Sequence, residues 1–430
     1  MVQKSSIMFA KNKPYGDKTV MVCDNGLSVE LAILLSKSYG KVYYYCPWKQ
    51  SGYPKIEQYW IGRGINNIES IEDMWDHFGD TDLFYFTDIF DGDVQIHLQS
   101  LGKLVYGTRN AQCLETNRVL LKDTNKQLGL PVIPYEIVNG IDNLRKYLQS
   151  HDNTWIKISS TFRGSMETFK SENYELTKPY LDQLEVSLGP ISQILQFLVE
   201  DHVQTKVEAG IDTWFVNGEY PKEVFAGIEI KNKGYISRIL PYNDIPNVIK
   251  QVNDKYASVL NKYGVRGQFS TEVRIDDKLN GYFTDATMRN PYPPSNLMWY
   301  QIQNWDDIIW NVASGNQCNP KFTDPYGVEL SLTSTWAKTN WLAVSIPPQF
   351  RDNVKIYNLT YINNKPYVIP NCDAIGSVVA TGKSIQEAID KCLHIADQVN
   401  GWQIDYPEYA IKKAKEEINE MDNLKINFFK

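Results

Sequence analysis

The feature that most constrains the fold is the alternation of short apolar runs with helical stretches over the first 110 residues. Residues 18–23 read as a buried strand and Asp24-Asn25-Gly26 as a turn. Residues 28–39 read as an amphipathic helix with Ser28 at its N-cap. Further strands are expected at 41–46, 82–87 and 103–107. Strands separated by helical segments imply an open, mostly parallel sheet. Such a sheet offers ligands the carboxyl ends of its strands, here near Asn25-Gly26 and Thr87-Asp88.

The pattern then changes. A helix is expected over 111–128, closed by Gly129 and Pro131. A short strand follows at 132–135, a helix at 143–150, and a strand at 154–159 with one lysine among apolar residues. From residue 194 the runs read as antiparallel strands: 194–199, 205–209, 213–216 and 224–230. After a helix at 246–263, strands 268–275 and 281–287 flank the turn 276–280, and a helix is expected at 304–313. The last segment reads as separate, with strands near 342–346, 354–359, 366–369 and 375–380 and helices at 384–400 and 408–421. The expected fold class is α/β with α+β parts. An open parallel α/β domain spans 1–110, a two-part domain spans 111–334 and divides near 193, and a small α+β domain spans 335–430.

Bulk properties narrow the function classes. The net charge of −7 argues against a nucleic-acid binder, which normally shows a basic face. No run approaches the roughly 20 apolar residues that span a bilayer. Met1 to Pro14 lacks the apolar core of a signal peptide, so a cytoplasmic location is expected. None of the six cysteines lies in a Cys-x-x-Cys pair, the spacing of free thiols rather than of a zinc site or disulfide framework. The five histidines are scattered.

Four groups of residues can carry chemistry. The first is Lys157, alone in an apolar strand, with Lys122 upstream. A phosphate would pair with such an ammonium; a lysine reaching out from an edge strand reads the same way. The second is the loop Ser159–Ser165, whose hydroxyls, Gly164 and Arg163 suit a flap over phosphate oxygens, as any surface hairpin with Arg-Gly-Ser also would. The third runs from Gln196 through Leu198 to Glu208. An extended segment can offer backbone groups to an adenine edge, and Glu208, or its rival Glu200, can accept ribose hydroxyls. The fourth is Glu272 and Asp285, thirteen residues apart across a tight hairpin. Cross-strand pairing can set both carboxylates side by side, which is costly without a cation between them. Carboxylate and triphosphate oxygens suit Mg²⁺. Two unrelated exposed acids would have the same spacing. Arg289 follows close behind and can stabilise charge on a transferring phosphoryl group.

In this order, these residues resemble the ATP-grasp superfamily, and within it the glycinamide ribonucleotide synthetases. The segment from Tyr106-Gly107 through Glu115, Asn117, Arg118 and Lys122 to Gly129-Leu130-Pro131 resembles the start of the grasp domain. Trp155-Ile156-Lys157 resembles the phosphate-lysine strand and Arg163-Gly164-Ser165 the glycine loop. Residues 195–198 resemble the adenine hinge, and Glu208 the ribose acid. Glu272, Asp285 and Thr287 stand at the metal-ligand positions. Residues 378–384 with Glu387-Ala388 resemble the C-terminal strand-turn-helix. The resemblance implies ATP with Mg²⁺ or Mn²⁺, phosphates held by Lys122, Lys157, Arg163 and Ser165, and adenine at Gln196–Leu198. It implies a small carboxylate, an amino acid, joined to an amine through an acyl phosphate stabilised by Arg289, in a monomer or homodimer. The sequence departs from that pattern at Thr287, where Asn is usual and for which Asn290 is a substitute. It departs again at Asn290-Pro-Tyr-Pro-Pro294, which replaces Gly-Asp-Pro-Glu, implying a rebuilt acceptor site. A nucleotide-binding protein without ligase activity and a carboxylate kinase remain the alternatives.

Overall fold

The computed structural model describes residues 13–46, 60–159, 168–426 and 428–429. The N-terminal strands β1 (Tyr15–Cys23), β2 (Tyr39–Tyr45), β3 (Glu69–Ile71), β4 (Leu83–Phe86) and β5 (Leu104–Tyr106) form one parallel sheet in the order β3-β2-β1-β4-β5. Both faces are covered, which explains the uninterrupted apolar runs. Val20 and Val22 join the main core, while Met21 and Cys23 pack with Tyr43, Phe84 and Phe86 on the other side. The strand order reverses between β1 and β4, so the crevice where ligands bind such sheets lies beyond Cys23 and Phe86. Asp24 organises that edge: its carboxylate accepts the amides of Gly26 (3.0 Å) and Ser28 (2.8 Å) and the Thr87 hydroxyl (2.8 Å). The helix spans Val29–Leu35 and ends earlier than expected. Ser28 sits at its N-cap, but the hydroxyl bonds to Tyr292 instead of capping.

The expected helix over 111–128 is broken. Asn117 leaves helical geometry, and its side chain caps the helix Arg118–Gln127 by accepting from the Leu120 amide at 3.0 Å. A cap of this kind is worth about 1 kcal/mol. The break places Glu115 and Arg118 on either side of the kink.

A smaller antiparallel sheet follows. Its strands are β6 (Tyr135–Asn139), β7 (Thr154–Ile158), β8 (Thr168–Ser171) and β9 (Gln196–Asp201), in the order β6-β9-β7-β8. Alternation along the strands divides its faces. Ile156, Ile158, Phe197 and Val199 pack under the helices Ile141–Leu148 and Tyr174–Leu188, each apolar side chain contributing about 1.5–3 kcal/mol. Lys157, Leu198 and Glu200 occupy the alternate positions. Because β9 belongs here, this unit runs on to Asp201, past the division expected near 193.

The remaining strands are β10 (Val207–Val216), β11 (Glu223–Ile230), β12 (Gly234–Pro241), β13 (Arg266–Ile275), β14 (Gly281–Thr287), β15 (Tyr326–Ser334), β16 (Leu342–Ala343), β17 (Val354–Ile356), β18 (Leu359–Ile362), β19 (Lys365–Val368), β20 (Ala374–Gly382) and β21 (Ile404–Asp405). The large sheet runs β14-β13-β10-β11-β12-β15-β20-β17, with β21 also on β15. The last segment, expected to stand apart, thus adds three strands to this sheet; β16, β18 and β19 form a small sheet of their own. The two strands expected at 205–209 and 213–216 are one strand. Gly210 does not interrupt it, because a Cβ there would meet the Thr271 carbonyl oxygen at 1.6 Å and only glycine allows that approach.

Candidate active site

The upper faces of the small and large sheets enclose a cleft of about 610 Å³. The β13–β14 hairpin sets its floor. Glu272 pairs directly with Asp285, and Ser270 with Thr287, with a bulge just after Glu272. All three expected metal-site residues, Glu272, Asp285 and Thr287, line the cleft together with Lys157, Glu208 and Arg289. Asn290 does not: its side-chain oxygen accepts from the Tyr85 hydroxyl at 2.9 Å.

The electrostatics of the paired acids are unequal. Burial, then Asp285, Glu229 and Glu208, holds Glu272 well above the usual carboxylate range. Burial also pushes Asp285 upward, but the cations of Arg118, Lys157 and Lys231 outweigh it and hold Asp285 below that range. Arg118 forms an ion pair with Asp285. Two adjacent carboxylates, one of them disfavoured as an anion by burial and by its acidic neighbours, have the donor chemistry of a divalent-cation site. Among the described residues no group of three or more His, Cys, Asp or Glu side chains could hold a metal ion. Any further ligands of an ion on these two acids would therefore be a hydroxyl such as Thr287's, water or substrate oxygens, the manner in which Mg²⁺ is commonly held.

Across the cleft, Lys157 is held by Glu200 at 3.1 Å, and the same carboxylate takes the ammonium of Lys122. Lys122 is only 2% exposed. Burial lowers its pKa more than Glu200 restores. Burial likewise raises Glu200, but facing two ammonium groups it ends below its ordinary value. Lys122, expected on the phosphates, is thus spent on Glu200, away from the cleft lining. Gln196 and Leu198 need a further correction. They lie inside β9, between β6 and β7, where the ladders occupy the backbone; the Gln196 carbonyl accepts from the Ser159 amide at 2.9 Å. They cannot offer an edge to adenine. The chain crosses between the sheets at residues 202–206 instead, where among the described residues the amides of Val203, Gln204 and Thr205 have no backbone partner. Glu208, at the start of β10, pairs with Arg274 at 3.2 Å. Arg163 and Ser165 lie outside the described residues.

Arg289 stands where the cleft meets the parallel sheet. It bonds Glu115 at 2.9 Å and approaches Asp88 at 3.8 Å. Burial disfavours its charge, but the two carboxylates overrule that and keep it cationic. The Met288 amide donates to Glu115 at 2.7 Å, so the kinked helix and β14 orient one another. Ile89, Phe90, Pro291, Tyr292 and Pro293 wall this end.

Four cleft residues were given no role in the sequence reading, although Glu115 and Arg118 belong to the segment that resembles the start of the grasp domain. Arg118 and Glu115 had a signal in the helix-breaking Asn117 between them. Lys231 and Glu229 had none, because Lys231-Asn-Lys-Gly234 reads as an ordinary turn. Burial disfavours the Lys231 cation, but the carboxylates of Glu272, Asp285, Glu229 and Glu208 raise its pKa.

No protein-family model and no curated protein sequence matches the chain. Solved structures match along nearly its whole length. Phosphoribosylamine–glycine ligase from Thermotoga maritima superposes with a TM-score of 0.68 at 13% identity, covering 91% of this chain and 99% of the ligase. The biotin carboxylase domain of Hydrogenobacter thermophilus 2-oxoglutarate carboxylase, solved with MgADP, ADP and bicarbonate, gives 0.65 at 13% identity over 93% and 98%. The biotin carboxylase–β,γ-ATP complex from Campylobacter jejuni gives 0.61 at 14% identity over 96% and 97%. At these identities the likeness is one of fold. No helix among the described residues is long and apolar enough to cross a membrane.

Proposed function

We propose that this chain is an ATP- and Mg²⁺-dependent ligase that joins a carboxylate to an amine through an acyl phosphate, releasing ADP and phosphate. The observation that carries this reading is the direct cross-strand pairing of Glu272 with Asp285 in the same cleft as Lys157. The fold shared with structures solved with ADP or ATP supports it. Glu272 and Asp285 would hold Mg²⁺ with the Thr287 hydroxyl beside them; bound there, the ion would neutralise charge on the triphosphate. Lys157 and Lys231 would hold phosphate oxygens, with Arg163 and Ser165 of the loop above them. Glu208 would accept the ribose hydroxyls, and the crossing at 202–206 would meet the adenine edge. Arg118 is a cation for phosphate once Asp285 is engaged elsewhere.

The reacting carboxylate would lie beside Arg289, whose fixed charge would stabilise the acyl phosphate. The amine then displaces phosphate as the amide forms. Positioning and charge neutralisation would supply most of the rate. The apolar wall of Ile89, Phe90 and Tyr292 favours an amino acid or amine with an apolar body over a phosphorylated sugar amine. A cytoplasmic location fits the six free thiols.

The test is ADP release from ATP and Mg²⁺ with pooled amino acids and amines, with hydroxylamine as a trap. A ligase gives amine-dependent ADP release, and a hydroxamate when hydroxylamine replaces the amine. Release that no amine accelerates would favour a carboxylate kinase. No release above background with any carboxylate would overturn the reading in favour of a nucleotide-binding protein.

A further inference from the structure

A second cavity, of about 460 Å³, opens where the helix Val29–Leu35, residues 64–66 and residues 351–364 meet. That volume is within the range of small-molecule sites. Ile33, Leu34 and Ile65 form an apolar wall, with Trp299 and Tyr361 beside it.

The charges around this cavity do not balance. Three cations, Lys37, Arg351 and Lys355, face two carboxylates, Glu30 and Asp352. Arg351 takes Glu30 at 2.9 Å and also donates to the Tyr361 hydroxyl (3.0 Å) and the Val354 carbonyl (2.9 Å). Lys37 takes Asp352 at 3.4 Å. Lys355 is the cation left over. Among the described residues it has neither an ion pair nor a hydrogen bond, only the Tyr300 ring 5.9 Å away. Burial holds its pKa below the usual range, more than Glu30 makes good. A half-buried ammonium with no counter-ion is unfavourable unless an anion joins it.

We propose that this cavity binds a small organic anion, a monocarboxylate with a short apolar body, its carboxylate on Lys355 and its body against Ile33, Leu34 and Ile65. The site is distinct from the nucleotide cleft but touches it. Trp299 meets the Tyr292 ring edge-on at 6.4 Å, and Tyr292 lines the cleft. The Tyr292 hydroxyl also bonds Ser28, at the start of the helix that walls the cavity. An occupant is therefore placed to bias the acceptor end of the cleft.

Sodium hexanoate titrated calorimetrically into the full-length protein at saturating ATP should bind saturably, at one site. Hexylammonium and orthophosphate should not bind. Lys355→Met should weaken hexanoate at least tenfold while leaving binding of a fluorescent ATP analogue unchanged. Ile65→Trp, which fills the cavity and keeps the lysine, should do the same and serves if Lys355→Met does not fold. The proposal is overturned if hexanoate does not bind, if ATP displaces it, if orthophosphate binds as well, or if the folded variants bind with wild-type affinity. None of these outcomes depends on whether the cleft is that of a ligase.

Discussion

Glu200→Gln tests the charge arrangement behind the cleft. The carboxylate is 3% exposed and is shared by Lys122, at 2% exposure, and Lys157, at 9%. The substitution conserves shape but turns a buried cluster of net charge +1 into one of +2. Removing one partner of a buried pair costs about 3–5 kcal/mol. The glutamine oxygen still accepts a hydrogen bond, so the lower end, about 3 kcal/mol, is expected. A surface pair would give at most about 1 kcal/mol. Urea unfolding followed by tryptophan fluorescence measures the difference. Because the folded pKa of Glu200 lies below its unfolded value, its contribution is complete above about pH 4.3 and disappears as pH falls through the folded value. Wild type and variant should therefore converge in acid. Saturating ATP should narrow the gap at neutral pH, since a triphosphate returns the missing negative charge to Lys157. A loss below about 1 kcal/mol at pH 7 would refute the reasoning.

Asp285→Asn should leave the fold intact and lower ADP release about a hundredfold or more; near-normal turnover would count against the proposed metal site. Glu329 is fully buried, accepts from the Leu297 amide at 3.0 Å, and is pushed by burial up to about 7. The folded state thus keeps a proton that the unfolded chain loses near 4.3, and stability should fall by about 3–4 kcal/mol as pH rises from there through 7. Glu329→Gln should flatten that slope in thermal unfolding at pH 5 and pH 8; an unchanged slope would exclude Glu329 as its source. Gly210→Ala should cost about 3 kcal/mol or more, since its Cβ would meet the Thr271 carbonyl oxygen at 1.6 Å. A circular-dichroism melt within 1 °C of wild type would contradict the crowding.

Much of the fold was legible because its signals are local. The parallel sheet declared itself through apolar runs that need cover on both faces, and the β13–β14 hairpin through two runs around a short turn. The alternation that sends Ile156 and Ile158 into a core sends Lys157 out of it. What failed depended on neighbours that are distant in sequence, unlike the Glu272–Asp285 pairing across a short turn. Residues 194–199 look like an edge that could meet a ligand, yet β9 has partners on both sides. The last hundred residues look autonomous, yet β20 pairs along β15.

By itself the sequence determined which residues are apolar, where the chain turns, and which side chains share a strand face, because these follow from periods of two and 3.6 residues. Together with the family resemblance, which alone pointed to Thr287, these patterns singled out Lys157, Glu208, Glu272, Asp285, Thr287 and Arg289, which line one cleft. Tertiary structure alone decided the charge partners. Lys122 went to Glu200, Arg118 to Asp285, Arg289 to Glu115, and Lys355 to none among the described residues. Pairing energies depend on distances of a few ångströms between groups as far as 321 positions apart, as Arg351 and Glu30 are, and no local pattern in a chain encodes them.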